Sequence, residues 1–270
     1  MHQFLATELC RESCTVKAAI FDFDGTISTL RCGWEAVMEK IMLEHLNGGK
    51  MAGEELLSHI RQYIAESTGI QTIYQMEWLA EQVELLCGRK PLDPWDYKDL
   101  YNEALLQMVD SRIAELESGK AEAEKYLVAG SREYLQLLME SGIAIYIASG
   151  TDEEDVRHEA DLLGISQLVR EVRGAPHRRK DCSKEAVIRD ILQDGSLSGH
   201  ELMVVGDGKV EIQLGQEAGA LTVGIASQEL RPERGMNPRK AEKLQRAGAR
   251  YLAEDFQPLI AQWKGEFDHE

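Results

Sequence analysis

No apolar run in this chain approaches the roughly 20 residues needed to cross a bilayer, so the sequence argues against a membrane-embedded role. Residues 1–17 interleave Glu8, Arg11 and Glu12 with short apolar stretches. They lack the ~7–15-residue apolar block of a secretory signal, so the expectation is a cytoplasmic protein with a short leader. Positive charge is scarce as well: 30 Lys and Arg stand against 47 Asp and Glu, a formal net charge of −17. Such a surface is unsuited to a nucleic-acid backbone. It also repels a small phosphorylated molecule at long range, so any phosphate site needs local cations or a metal. Cysteine is sparse. Cys10, Cys14, Cys32, Cys87 and Cys182 show neither Cys-x-x-Cys nor zinc-ligand spacing, which fits reduced thiols rather than a disulfide or zinc framework. The nucleotide-kinase phosphate loop, Gly-Lys followed by Ser or Thr, is missing, because the Gly-Lys pairs precede Met51, Ala121 and Val210. Internal repeats and low-complexity segments are absent too.

What is present is an ordinary globular balance, with 43% hydrophobic and 29% charged residues over 270 positions. That suffices for one large domain or two small ones with a sizeable core. Residues 16–23 (VKAAIFDF) form a nearly continuous apolar run of β-forming residues and read as a buried strand. From about 30 to 127 only helical periodicity appears. Trp34, Val37, Met38, Ile41 and Met42 make one stripe, Leu56, Leu57, Ile60 and Ile64 another, and further helices are expected over 74–86 and 100–116. Pro91 and Pro94 punctuate the gap between the last two. Beyond 129 strands and helices alternate, with strands expected at 143–148, 168–172, 202–205, 221–225 and 251–252. This pattern predicts an α/β fold, a Rossmann-like parallel sheet with helices on both faces, plus an inserted all-helical cap. The core is expected over 1–29 and 128–270, and the cap over 30–127. Ligands bind such sheets at the carboxyl ends of the strands.

Three strands end in polar residues. The first runs into Phe21-Asp22-Phe23-Asp24-Gly25-Thr26, another into Ala148-Ser149-Gly150-Thr151, and a third into Val205-Gly206-Asp207-Gly208-Lys209-Val210-Glu211. On a strand, Asp22 and Asp24 share a face with Cα atoms roughly 6–7 Å apart. With Asp207 they put three carboxylates at one sheet edge, which calls for a hard cation with oxygen ligands and points to Mg²⁺. Ser149 and Gly150 fall at an expected strand-to-helix turn, suited to holding a phosphate. Lys184, opening an expected helix over 183–192, is the candidate to neutralise the transferring group.

These motifs, in this order, resemble those of the haloacid dehalogenase superfamily. Phe21–Thr26 matches the first motif, and Ser149, Lys184 and Gly206-Asp207 match the second, third and fourth. The resemblance implies that Asp22 is the nucleophile, forming an aspartyl-phosphate, and that Asp24 is the acid and base. It also implies that Mg²⁺ is held by Asp22, the Asp24 backbone carbonyl and Asp207. Ser149, the Gly150 amide and Lys184 would bind the phosphoryl group. Many members carry Asp where this chain has Glu211, which is expected to bond a metal-bound water. Lys180, in the basic run 177–180, is the competing lysine and is read as part of a solvated loop. In the cap, Arg31, Trp34 and Gln71 are placed as possible substrate contacts, Gln71 within the polar turn 68–72. The expected activity is hydrolysis of a small phosphorylated metabolite, with sugar phosphates the favoured class. A sugar phosphomutase and a non-catalytic phospholigand-binding module are the alternatives. Oligomeric state has no signature in the sequence.

Overall fold

Six short segments pair side by side into one parallel sheet: β1 (Ala18–Phe21), β2 (Ala144–Asp152), β3 (Glu171–Ala175), β4 (Leu202–Gly206), β5 (Leu221–Ile225) and β6 (Tyr251–Ala253). Their order across the sheet is β3-β2-β1-β4-β5-β6. The computed structural model describes residues 15–176, 178–179, 184–230 and 235–264. The expectations for residues 1–14 with Cys10 and Cys14, and for His177, Lys180, Cys182 and Ser183, lie outside the described residues.

Every residue of β1, β4 and β5 is buried, as required of central strands covered on both faces. Alternate side chains then serve opposite faces. Ala19, Phe21, Met203 and Val205 join one apolar cluster, while Ala18, Ile20, Leu202 and Val204 join another. On the first face pack α5 (Ser131–Glu140), through Tyr134, Leu135 and Leu138, and α10 (Gln257–Trp263), through Leu259 and Ile260. On the second packs α7 (Lys184–Asp194), through Val187, Ile188 and Ile191. Helices α6 (Glu153–Leu162), α8 (Lys209–Glu217) and α9 (Pro238–Ala247) complete the crossovers.

Four helices lie between β1 and α5: α1 (Trp34–Leu46), α2 (Gly53–Glu66), α3 (Thr72–Cys87) and α4 (Pro94–Glu117). Pro94 opens α4 rather than merely interrupting the chain. Its missing N–H is harmless in the first turn, where Asp93 accepts from the Trp95 N–H at 2.9 Å. The chain enters and leaves this helical insert through two adjacent segments. Thr29 N–H donates to Tyr126 O and Val128 N–H to Ile27 O, each at 2.9 Å. The apolar cluster of the first sheet face continues through Phe23, Ile27 and Leu30 into Met38, Met42 and Leu46, so insert and sheet share a core. No helix among the described residues is long and apolar enough to cross a membrane.

Two strands differ from the expectation. β3 lies three residues later, at Glu171–Ala175, because 166–168 closes a 3₁₀ turn in which Leu168 N–H donates to Ile165 O at 2.9 Å. β3 is an edge strand and tolerates a charged face: Arg173 pairs with Glu171 and Asp190 at 2.9 and 2.8 Å. Apolar continuity is therefore a poor guide to its position. β2 runs on past Ala148 to Asp152, with an irregularity in its pairing to β3 between those two residues. Ser149 and Gly150 thus belong to an extended strand end, not to a strand-to-helix turn.

Candidate active site

Because all the strands are parallel, β1, β2 and β4 deliver their carboxyl-terminal residues to one edge of the sheet. The ladder carries Asp22 one residue beyond β1, its N–H donating to Val205 O at 2.9 Å. The chain then turns sharply, with Ile27 and Ser28 N–H both donating to Phe23 O at 2.9 Å. Gly25 makes the turn possible. Its φ is +77°, and a Cβ there would lie 2.5 Å from Asp207 Oδ2. Asp24 consequently leaves the strand direction, and the two carboxylates do not share one strand face.

The carboxylates that converge are Asp22, Asp207 and Glu211, all buried, with one ligand atom from each lying within 4.8 Å of the others. The sequence reading set Asp24 in that group and Glu211 outside it. In the structure the Asp24 carboxylate turns toward β2, where Thr151 Oγ1 donates to Oδ2 at 2.8 Å and Ser149 Oγ approaches it at 3.4 Å. Its Oδ1 is buried without a hydrogen-bond partner, and Arg31 Nε stands 4.0 Å away. Glu211 is engaged twice. Oε1 accepts from Gly208 N–H at 2.6 Å at the start of α8, and Oε2 accepts from Lys184 Nζ at 3.0 Å.

Lys184 lies at the N-terminus of α7, buried, with Nζ 2.8 Å from Asp22 Oδ1. Burial works against its charge, but Asp22 and Glu211 outweigh it and hold the ammonium's pKa up. Burial pushes the Asp22 carboxyl well above the ordinary carboxylate range; Glu211 and Asp207 add to this while Lys184 opposes it. A buried cluster of oxygen donors that destabilise one another's charge fits a hard divalent cation. Asp22 and Asp207 are the two side chains best placed to hold one: each has one carboxylate oxygen in a lysine pair, Asp22 Oδ1 with Lys184 and Asp207 Oδ2 with Lys240, whereas both oxygens of Glu211 are engaged by Lys184 and Gly208.

Two residues of this site escaped the sequence reading. Lys240, in the first turn of α9, reaches Asp207 Oδ2 at 2.5 Å and also pairs with Glu229. The signal was local: Asn237-Pro238 is a helix start, with the Asn237 side chain accepting from Arg239 and Lys240 N–H. Thr151 belongs to the strand-end motif, and its contact with Asp24 depends on the unexpected extension of β2.

The insert closes over this edge. A cavity of about 480 Å³ is lined by Asp22, Asp24, Ser149, Gly150, Lys184 and Asp207 on one side, and by Trp34, Thr68, Gly69, Ile70 and Thr72 on the other. The turn 68–72 sits against the strand end, and a Cβ on Gly150 would meet Ile70 O at 2.7 Å. Gln71 itself is buried at the N-terminus of α3 and is not a lining residue, while its neighbours Ile70 and Thr72 are. Lys98 and Asn102 of α4 both bond Asp152 at the end of β2, Asn102 at 2.8 Å.

Arg31 also lines the cavity, but its guanidinium is tied back to α6, by Nε to Glu159 at 2.8 Å and by a terminal nitrogen to Asp155 at 3.0 Å. Burial raises the Glu159 carboxyl from 4.5 to about 7, against the pull of Arg31. A carboxyl raised in the fold contributes stability that is full below its ordinary value and is lost as pH rises. Between about pH 5 and pH 7 this group therefore lowers the wild-type melting midpoint as pH increases. Glu159→Gln is expected to flatten that slope in thermal melts, and an unchanged slope would show that Glu159 titrates normally.

The sequence matches the family model of the haloacid dehalogenase-like hydrolase over residues 16–219. No curated protein matches. Among solved structures, the chain resembles a predicted phosphoglycolate phosphatase from Haemophilus somnus 129pt, at 16% identity and a TM-score of 0.60, covering 91% of this chain and 97% of that one. It also resembles a β-phosphoglucomutase from Clostridium difficile, at 13% identity and a TM-score of 0.59, covering 93% and 98%. A third likeness is to a phosphonoacetaldehyde hydrolase-like protein from Oleispira antarctica, at 15% identity and a TM-score of 0.59, covering 94% and 96%. At such identities these likenesses speak for the fold.

Proposed function

We propose that this chain, which belongs to the haloacid dehalogenase-like hydrolase family, is a Mg²⁺-dependent phosphatase of small phosphorylated metabolites, with sugar phosphates the favoured class. The observation that carries the reading is the division of labour at the sheet edge. Asp22 sits with Lys184, Asp207 and Glu211, while Asp24 is turned aside with one buried oxygen unbonded. A nucleophile needs the first environment and a proton carrier needs the second.

In this reading an Asp22 carboxylate oxygen attacks phosphorus and forms the aspartyl-phosphate as the bond to the leaving oxygen breaks. Asp24, carrying a proton, gives it to that oxygen. The Asp24 carboxylate then takes a proton from water, which attacks the same phosphorus, frees Asp22 and yields inorganic phosphate. Lys184 neutralises the transferring group, and Ser149 and the Gly150 amide hold its oxygens. Asp22, Asp207 and the Asp24 backbone carbonyl would hold Mg²⁺, which would supply further charge stabilisation when bound. Glu211 acts through Lys184, fixing the ammonium between two carboxylates. Residues 30–127 act as the cap, a division supported by the paired connections near 27–29 and 126–128. A closed cap excludes water and suits a small substrate.

The test is phosphate release from a panel of phosphorylated sugars, nucleotides and amino acids. It should require Mg²⁺ and stop on chelation. Interconversion of sugar phosphates without net phosphate release would replace the phosphatase reading with a mutase. Stoichiometric binding without turnover would replace it with a binding module. Gly150→Ala should lower kcat/KM on the order of 10- to 100-fold, because its Cβ displaces the Ile70 turn while the fold persists. An unchanged kcat/KM would show that the turn need not seat on the strand end.

A further inference from the structure

The cations around the cavity are not all accounted for by phosphoryl transfer. Five of them face carboxylates: Arg31 pairs with Glu159, Arg61 with Glu39, Lys98 with Asp152, Lys184 with Asp22 and Glu211, and Lys240 with Asp207 and Glu229. Arg239 and Lys243 also line the cavity, and among the described residues neither has a carboxylate partner. Lys243 Nζ donates to a backbone carbonyl, Ala65 O at the end of α2, at 2.6 Å. In a chain of net charge −17, two adjacent cations left without acids at a cavity wall are an investment in an external anion.

Their placement is regular. Residues four apart on a helix share a face, and Arg239, exposed, and Lys243, half-buried, both line the cavity, one turn apart on α9. Lys240, between them in sequence, is committed to Asp207. The wall they form lies on the β5 side of Asp22, whereas Ser149 and Thr151 come from β2 on the other side. A substrate whose phosphorus sits at Asp22 can therefore extend toward α9. The volume of about 480 Å³ is ample for a hexose phosphate. Burial lowers the Lys243 ammonium pKa, with Asp207 and Glu211 opposing at a distance, as expected of a cation that lacks its own counter-ion.

We infer that Arg239 and Lys243 form a second anion subsite, and that the preferred substrate carries a carboxylate or a second phosphate on the part that is not transferred. This rests on the phosphatase reading above and narrows its substrate class. Arg offers a planar fork to either anion and Lys a point charge, so the pair recognises both. The site discriminates against neutral sugars by leaving the two cations uncompensated.

The test uses matched pairs with the full-length protein and saturating Mg²⁺. Glucose 6-phosphate is compared with 6-phosphogluconate, which differ by a carboxylate, and fructose 6-phosphate with fructose 1,6-bisphosphate, which differ by a phosphate. Wild type should favour the more anionic member of at least one pair by about 10-fold or more in kcat/KM, and the favoured pair identifies the anion. Arg239→Gln and Lys243→Gln should each reduce that preference several-fold, chiefly through KM, and the double variant should abolish it. A wild type without preference in either pair overturns the inference while leaving the phosphatase reading intact. So does an equal loss on both members in Lys243→Gln, which would make Lys243 a strap between α9 and α2. Absence of phosphate release from all four compounds and from the wider panel would instead sink the phosphatase reading.

Discussion

Asp22→Asn is expected to abolish phosphate release, lowering kcat by at least about 10⁴-fold, while leaving a folded protein. The change keeps the side chain's shape but removes the atom proposed to attack phosphorus. It also removes one carboxylate from the buried group with Asp207 and Glu211. Two stability signatures should accompany the loss. Burial and the neighbouring carboxylates hold the Asp22 carboxyl pKa up, so in metal-free protein its stabilising contribution is full at low pH and fades as pH rises beyond the ordinary carboxylate range. The metal-free variant should therefore lose less of its melting midpoint with rising pH than wild type. Mg²⁺ should raise the midpoint of wild type by mass action and raise that of the variant far less. Phosphate-release assays and thermal melts at several pH values, with and without Mg²⁺, check all three. Full activity in Asp22→Asn would discard the mechanism.

Lys184→Met should show the largest loss of stability from a single change at the site. The ammonium is buried between Asp22 Oδ1 at 2.8 Å and Glu211 Oε2 at 3.0 Å, and methionine fills similar space without charge. Removing one member of a buried ion group leaves the others charged without a partner, a cost on the order of 3 kcal/mol. Urea unfolding should show this as a lower midpoint with an unchanged slope. Adding Glu211→Gln removes one stranded carboxylate, and the Gln side-chain oxygen can still accept from Gly208 N–H. The double variant should recover part of the stability and none of the activity. Recovery of activity along with stability would mean that Lys184 only holds the fold and does not serve the phosphoryl group.

Much of this was legible along the chain because it depends on local chemistry. The apolar runs of β1, β4 and β5 announce themselves, since strands covered on both faces must be continuously hydrophobic. The helices of the insert follow from periodicity, and Asp22, Asp207 and Lys184 from their positions at element ends. β3 was displaced by three residues because an edge strand need not be apolar throughout. The direction of Asp24 was misread because Gly25 turns the backbone immediately after the strand, and side-chain alternation holds only while the strand continues.

By itself the sequence determined the α/β class, the helical insertion and the ordered set of strand-end residues, since hydrophobic pattern and motif are one-dimensional properties. Only the tertiary structure decided how those residues divide. It grouped Asp22 with Asp207 and Glu211, turned Asp24 to Thr151, and brought Lys240 to Asp207 across 33 positions. It also left Arg239 and Lys243 lining the cavity with no carboxylate partner among the described residues. The reason is physical: which charges neutralise one another depends on distances of a few ångströms in a low-dielectric interior, and those distances are set by the packing of elements remote in the chain.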